Sequence, residues 1–272
     1  MSRIQNILEK AERDGSVRRA RPMTETIAAS ALAYDAPSSI AAPSHESAPA
    51  VEPAVTPRVV RGARFDANLV AAHASGSATA EQYRALRTRL TQANHGAAVD
   101  VLLLTSPGRG EGKSLTAANL ALTIGHDVQT RVCVVDANLR HPRLHRLFGV
   151  PETPGLGDVL AGGATLAEAL VRFDDQGVVL LPAGRPPSHP AEMLGSTAMR
   201  RTLESLRTQF DRVIIDAPAA GPIADVGILA PFVDGVLLVV QAGVTTKPAI
   251  QEAVSTIPGD KFLGVVLNGG AV

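Results

Sequence analysis

The sequence predicts an α/β fold in three layers, with a doubly wound, mainly parallel sheet between two layers of helices. Two observations predict it. From residue 101 onward, short apolar runs alternate with helical stretches. The runs are continuous Val, Ile and Leu segments without period-two alternation, which is typical of parallel strands covered on both faces. Ligands of such sheets bind at the carboxyl ends of the strands, so functional residues are expected there.

The composition divides the chain into three regions. Near the start, Ile4, Ile7, Leu8 and Ala11 share one helical face. Ala, Pro and Ser then supply twenty of the thirty residues 28–57, a composition that cannot bury enough apolar surface to fold. The predicted regions are an N-terminal amphipathic helix with a basic segment, a disordered linker and one folded domain, at residues 1–21, 22–76 and 77–272.

The elements of the domain follow in order along the chain. A capping-box pattern at residues 79–82 predicts a helix that ends at about residue 92. A second helix is predicted over residues 115–124. The apolar runs predict six strands, at residues 101–105, 132–135, 178–181, 213–215, 236–240 and 263–267.

Composition and charge exclude several classes of protein. The 272 residues carry 26 Lys and Arg against 26 Asp and Glu, so nothing indicates a basic nucleic-acid binder. Six Phe, two Tyr and no Trp leave few rings for base stacking. One Cys excludes a disulfide framework and suits a reducing compartment. No apolar run is long enough to span a bilayer, so we expect a cytoplasmic protein that reaches a membrane only by recruitment.

The strongest motif follows the first predicted strand and runs Thr105-Ser-Pro-Gly-Arg-Gly-Glu-Gly-Lys-Ser114 into a helix. Glycines let the backbone turn its N–H groups around phosphate oxygens, and the helix N-terminus favours negative charge. A lysine in this place reaches the β- and γ-phosphates, and the serine hydroxyl binds Mg²⁺. Pro107 stands where the strict phosphate-loop pattern has glycine. The predicted nucleotide-binding residues are Gly108, Arg109, Gly110, Glu111, Gly112, Lys113, Ser114 and Leu115.

Two further strands end in an acid. Asp216 follows Val213-Ile-Ile, and an aspartate there lies beside the phosphate loop and can hold Mg²⁺. Asp136 ends the run Val132-Cys-Val-Val, and it could bind the metal too or take the proton of an attacking hydroxyl. Asn268, after the last strand, is a candidate for contact with the nucleotide base.

In these motifs the chain resembles the catalytic domain of the bacterial tyrosine kinases of capsule and exopolysaccharide export. Their phosphate loop, two acid-ended strands and an ExxRxxR helix (Glu81 to Arg87 here) occur in the same order. The resemblance implies a P-loop NTPase fold of the branch related to MinD and ParA, although the signature lysine of those ATPases is absent. It implies ATP and Mg²⁺ as cofactors and a separate membrane-bound activator. It also implies catalytic or metal roles for Lys113, Asp136, Arg140 and Asp216, and self-association through Glu81, Arg84 and Arg87.

The chain departs from the family pattern in three places. Asn138 stands where the family has Asp, and His189 where Asn precedes a proline. The tyrosine cluster typical of the family's C-terminus is missing, which leaves Tyr34 as the predicted phosphoacceptor, because Tyr83 lies in the self-association helix. Two functions therefore remain open: a tyrosine autokinase, or an ATP-binding assembly switch without kinase activity.

Overall fold

A computed structural model of the protein describes residues 57–93, 99–127, 129–221 and 224–269. The predicted N-terminal helix, most of the predicted linker and Tyr34 lie outside these ranges. Within them, no helix is long and apolar enough to cross a membrane.

The described residues fold as strands that alternate with helices. The strands are β1 (Arg58–Val60), β2 (Val101–Thr105), β3 (Val132–Asp136), β4 (Val171–Phe173), β5 (Val178–Leu181), β6 (Arg212–Asp216), β7 (Gly235–Gln241) and β8 (Phe262–Asn268). The longer helices are α2 (Ala78–Ala93), α3 (Lys113–Gly125), α8 (Thr197–Gln209) and α10 (Lys247–Ser255). The short ones are α1 (Val70–His73), α4 (Leu144–Leu147), α5 (Leu156–Leu160), α6 (Leu166–Ala169), α7 (Pro190–Leu194) and α9 (Asp225–Leu229), which a 3₁₀ turn (Ala230–Phe232) follows.

The strands form one sheet in the order β1-β4-β5-β3-β6-β2-β7-β8. All neighbouring pairs are parallel except β4 and β5, which form an antiparallel pair. The six predicted strands are all present, within one residue at each end. The predicted fold class, a doubly wound and mainly parallel sheet, is confirmed.

Helices cover both faces of the sheet. Successive residues of one strand face opposite layers: Leu103 packs in one apolar core and Leu104 in the other, and both are fully buried. The first core lies under α8 and α9, and the second lies under α3. Continuous apolar runs are stable as strands here because neither face meets water.

The folded domain begins before residue 77, the position at which the sequence predicts its start. Strand β1 pairs with β4, and the aromatic ring of Phe65 packs edge-on against Phe148 and Phe173. The Ala/Pro/Ser-rich composition stops at residue 57, and the residues after it include apolar side chains that can be buried. The buried amide of Asn119 on α3 accepts from the N–H of Ala71 at 3.0 Å and so fastens this segment to the domain.

An ion pair stabilises the end of the sheet at which β2 and β7 begin, away from their carboxyl ends. Arg207 donates to both carboxylate oxygens of Asp234, at 3.0 and 2.8 Å, and the backbone N–H of Val101 donates to the same carboxylate at 2.8 Å. Burial alone would raise the pKa of Asp234, but these donors outweigh it and hold the pKa below its ordinary value. The start of β2 is thereby fixed to the start of β7.

Candidate active site

The glycine-rich loop lies between β2 and α3, at the carboxyl ends of the parallel strands, as predicted from the sequence. Gly110 and Gly112 have positive φ angles of 85° and 93°, a conformation that glycine adopts without strain. Gly112 is the N-cap residue of α3 and has no side chain to cap it. The first N–H groups of the helix are therefore available to an anion.

A buried carboxylate closes the loop on itself. Glu111 is 7% exposed, and its Oε1 accepts from the N–H of Gly108 at 3.1 Å. Its other oxygen, Oε2, is buried without a partner among the described residues. The Ser106 hydroxyl donates to the carbonyl of Gly108 at 2.6 Å. The loop is thus held in shape by its own side chains.

Asn268, at the end of β8, contacts the back of the loop. Its Nδ2 donates to the carbonyl of Glu111 at 3.0 Å. A Cβ atom on Gly112 would collide with the same Nδ2 group. The φ angle of Gly112 therefore favours glycine, and a side chain there would force the amide of Asn268 away from Glu111. The predicted contact of Asn268 with a nucleotide base stays a prediction.

Lys113 links the loop to the end of β6. Its Nζ lies 3.3 Å from Oδ1 of Asp216 and 3.2 Å from Oγ of Ser114. Asp216 is fully buried, and its second oxygen, Oδ2, has no partner among the described residues. Leaving a buried carboxylate oxygen unpaired costs about 1–3 kcal/mol, which a bound cation or donor would recover. Lysine, hydroxyl and carboxylate thus meet in one place, as the motifs predict.

Asp136 ends β3 directly beside Asp216, and the two are register partners across the β3–β6 pair. Its Oδ2 accepts from the N–H groups of Arg143 and Leu144, both at 2.9 Å. Burial and the charge of Asp216 raise the pKa of Asp136 to about 7, although these N–H groups and Lys113 offset part of the rise. A carboxylate with that pKa can take up a proton near neutral pH.

Asn138, one of the departures from the family pattern, orders the loop after β3. Its backbone N–H donates to Oδ1 of Asp136 at 3.2 Å, and its Nδ2 donates to the carbonyl of His141 at 2.9 Å. An aspartate would lose the second bond because a carboxylate has no N–H. The asparagine thus stabilises this loop in a way that the family residue could not.

Arg140 is engaged by a residue that sequence reasoning missed. Its Nε and Nη2 donate to the two carboxylate oxygens of Asp225, at 2.8 and 3.1 Å. Asp225 is fully buried at the start of α9. No motif marks Asp225, and only its position before an apolar helix could have drawn attention to it. The predicted role of Arg140 at the phosphates stays a prediction, with its guanidinium now placed on Asp225.

Basic side chains from two loops come together beside Lys113. Partial desolvation lowers the pKa of His141, and the positive charges of Arg109, Lys113, Arg140 and Arg143 lower it further. Arg109 and Lys113 belong to the glycine-rich loop and the start of α3, and Arg140 and Arg143 come from the loop between β3 and α4. The opening of the site is therefore positively charged.

The predicted self-association residues lie on α2 and make contacts within the protein. Glu81 pairs with Arg84 at 2.8 Å, and Arg84 also donates to the carbonyl of Ser75 at 2.7 and 2.6 Å. Arg87 donates to the carbonyl of Thr123 on α3 at 3.2 Å. These bonds attach α2 to the rest of the domain, and their role between copies of the chain stays a prediction.

The same helix carries Tyr83, which faces α3. Burial raises the pKa of Tyr83, and hydrogen bonds with the side chains of Thr116 and Asn119 lower it in part. Tyr83, Thr116 and Asn268 line a cavity of about 650 Å³ between α2 and β8. The hydroxyl of Tyr83 is thus directed at the helix that follows the glycine-rich loop.

Comparisons with known proteins agree with this geometry. No family model matches the chain. The tyrosine-protein kinase YwqD of Bacillus subtilis is 34% identical over 212 residues, which cover 77% of this chain and 89% of YwqD. The BceF tyrosine kinase domain has a TM-score of 0.68 and 32% identity, with 74% of this chain and 81% of that domain covered. The chimerical protein CapA2B2 has a TM-score of 0.72 and 27% identity, with 80% of this chain and 96% of that one covered.

The identity to YwqD extends over most of both chains, and the solved BceF kinase domain has a similar fold. The fold is that of the P-loop NTPases related to MinD and ParA. The chain belongs to the bacterial tyrosine-protein kinase family of capsule and exopolysaccharide synthesis.

Proposed function

We propose that this protein transfers phosphate from Mg-ATP to tyrosine at the site formed by Lys113, Asp136 and Asp216, and that it thereby regulates polysaccharide polymerisation and export. One observation carries the proposal: the loop lysine meets one buried carboxylate at 3.3 Å while a second carboxylate lies next to it in the sheet. A phosphate site with two adjacent acids suits metal-assisted phosphoryl transfer.

The loop supplies the phosphate site. We assign the phosphates of ATP to the N–H groups of residues 108–115, with Lys113 as the cation that approaches the β- and γ-phosphates. We also propose that Arg109 and Arg140 place positive charge near the phosphates. We assign the nucleotide base to the side of the loop where Asn268 lies.

The donors at the site fit a magnesium ion. Ser114 Oγ and the unpartnered Oδ2 of Asp216 are oxygen ligands of the kind that Mg²⁺ prefers. The described residues hold no cluster of three or more acidic, His or Cys side chains, which agrees with a metal that takes its other ligands from water and phosphate. When bound, the ion neutralises charge on the phosphate oxygens.

The transfer step needs a base and a phosphoacceptor. The phenol oxygen of a tyrosine forms a bond to the γ-phosphorus, and the bond between that phosphorus and the β–γ bridging oxygen breaks. ADP leaves with the electron pair of the broken bond, and the phenol proton passes to the carboxylate of Asp136. The raised pKa of Asp136 supports this role, since a base with a pKa near 7 is effective at neutral pH.

The proposal includes partners and a location. We propose that copies of the chain associate through Glu81, Arg84 and Arg87 on α2, and that Tyr34 is a phosphoacceptor. We propose a cytoplasmic protein that a separate membrane-bound activator recruits. The similarity to the chimerical protein CapA2B2 supports a second component.

The experiment is phosphorylation of the purified full chain by Mg-ATP, with and without the cytoplasmic tail of a candidate activator. Mass spectrometry locates phosphotyrosine, and a separate assay measures ADP binding. We expect phosphotyrosine in the native protein and its loss in Lys113→Met. Lys261→Met is the matched control. Lys261 directly precedes β8, at the end of the sheet away from the glycine-rich loop, so this variant should keep full activity.

The second candidate function has its own outcome. The sequence contains two tyrosines, and Asn138 replaces an acidic family residue, so an ATP-driven assembly switch is the competing proposal. Release of inorganic phosphate with no phosphotyrosine on the chain or on an added tyrosine substrate overturns the kinase in favour of the switch. Failure to bind ATP and ADP overturns both.

A further inference from the structure

We propose that the kinase site selects tyrosines with acidic neighbours, and that the chain's own Tyr34, followed by Asp35, is such a substrate. The inference rests on the proposed kinase function and concerns the substrate class. It arises from the arginines beside the site, among which Arg109 and Arg140 are assigned to the phosphates and Arg143 is not.

Three arginines lie close together beside the carboxylate pair: Arg109, Arg140 and Arg143, together called the basic rim. The backbone N–H of Arg143 donates to Oδ2 of Asp136 at 2.9 Å, which places this residue directly next to the site. Strands β2 and β3, whose loops carry the rim, lie on either side of β6. The rim therefore borders the place where the buried carboxylate of Asp216 ends β6.

Acidic groups neutralise only part of this positive charge. Lys113 pairs with Asp216, and Arg140 pairs with Asp225. The negative charge of Glu192 also acts on Arg140. Among the described residues, no carboxylate pairs with Arg109 or Arg143, and both side chains lie exposed. The rim thus presents a net positive charge to an incoming segment.

Charge of this kind selects among partners. Exposed charges steer an oppositely charged partner and repel a like-charged one, although each pair contributes only about 0.2–1 kcal/mol. The loop amides and Lys113 already supply the contacts that a nucleotide phosphate needs. Arg143, outside the glycine-rich loop, is therefore free to favour an acidic acceptor.

The chain contains a segment of the opposite charge. Residues 22–57 include Glu25, Asp35, Glu46 and Glu52 and no Lys or Arg, and Tyr34 immediately precedes one of these acids. The other tyrosine, Tyr83, is half-buried against α3. Charge complementarity therefore assigns Tyr34 as the acceptor within the chain.

The test uses three synthetic peptides with the sequence of residues 28–40: the native one, Asp35→Asn and Asp35→Lys. The enzyme is the full chain, as native protein, as Arg143→Glu and as Arg146→Glu. Arg146 is the matched control because it lies exposed on α4, yet it does not contribute to the charge around His141. The readouts are kcat/KM for peptide phosphorylation and, separately, the KM for ATP.

We expect the native enzyme to prefer the native peptide over Asp35→Lys by about fivefold at low salt, and less at high salt. Arg143→Glu should remove or reverse this preference with an unchanged KM for ATP, while Arg146→Glu should behave as native. A preference that persists in Arg143→Glu, or equal rates on all three peptides, overturns the inference and leaves the kinase intact. Absence of phosphotyrosine on every peptide overturns the kinase itself. If Arg143→Glu does not fold, Arg143→Gln takes its place.

Discussion

Asp136 and Asp216 end two neighbouring parallel strands, face each other as register partners and are both fully buried. Two buried carboxylates repel each other, and Lys113 pairs with Asp216 at 3.3 Å and also acts on Asp136 through its charge. The pair therefore explains both the attraction of the site for a cation and the raised pKa of Asp136.

The first prediction concerns this pair. Asp216→Asn should lower the pKa of Asp136 from about 7, because it removes the like charge, although burial should still hold it above the ordinary carboxyl value. Carbon-13 NMR of the Asp136 carboxyl in the nucleotide-free protein measures the shift. Asp234→Asn, at the end of the sheet where β2 and β7 begin, is the control and should leave the pKa of Asp136 unchanged. Asp136→Asn and Asp216→Asn should each reduce phosphotransfer at least about a hundredfold.

The second prediction separates backbone strain from collision in the glycine-rich loop. Gly110→Ala meets no atom within 4 Å but keeps a positive φ, so it should cost about 1 kcal/mol and little ADP affinity. Gly112→Ala adds the collision with Asn268 and should weaken ADP binding much more. Calorimetry measures both. Equal losses in the two variants would contradict the role that we give to Asn268.

The third prediction concerns Asn138. Asn138→Asp should destabilise the nucleotide-free protein by about 1–2 kcal/mol, since it loses the bond to the carbonyl of His141 and adds a charge beside Asp136. Mg²⁺ with ADP should recover this loss, because the new carboxylate can bind the ion. Asn138→Ala loses the same hydrogen bond and gains no ligand. If Mg²⁺ with ADP rescues both variants equally in thermal unfolding, the new carboxylate does not reach the metal.

The fourth prediction concerns the segment before α2. Asn119→Leu should lower the free energy of unfolding by about 2–3 kcal/mol, because the N–H of Ala71 and the carbonyl of Asn68 lose their partner. Trypsin should then cut faster at Arg61 and Arg64.

The control for this change is Thr123→Val on the same helix. Within the part of the chain that the structure describes, Thr123 Oγ1 bonds only inside α3, to the carbonyl of Asn119 at 2.7 Å. Its loss should cost about 1 kcal/mol and leave the rate of cleavage unchanged. Faster cleavage in both variants would mean that general destabilisation, and not release of the segment, exposes the arginines.

The fifth prediction is a pH dependence. Asp234 has a lowered pKa in the folded protein, so its contribution to stability is present above the ordinary carboxyl pKa of about 4 and is lost as the pH falls below it. Asp234→Asn should therefore cost about 1.5–3 kcal/mol at pH 7 and progressively less towards pH 3. Asp174→Asn removes an exposed pair with Arg61 and should cost at most about 0.5 kcal/mol. Urea unfolding at several pH values measures both, and a constant cost for Asp234→Asn would contradict the ion pair's role.

The sequence was informative wherever one local pattern determined the structure. The central strands could be predicted because their apolar runs are buried on both faces, and the ends of β3 and β6 because an acid follows each run. Lys113 and Ser114 could be placed because the glycine spacing and the helix after it are contiguous in the chain.

Features that depend on distant partners could not be predicted. Strands β1 and β4 are three residues long, and they form only because they pair with each other and β4 pairs with β5. Asp225 carries no motif, and its importance appears only when Arg140 is seen to bind it. The contact of Asn268 with Glu111 joins residues 157 positions apart, which no local pattern reports.

That long separation has a consequence for how the protein is made. The two residues of the Lys113–Asp216 pair lie 103 positions apart. The glycine-rich loop also needs its contact with Asn268, which is at the end of β8. A chain synthesised from its N-terminus cannot complete this site until the last strand has emerged and entered the sheet. We therefore expect the nucleotide to bind the domain with β8 in place more tightly than one without it, and by mass action to stabilise the complete form.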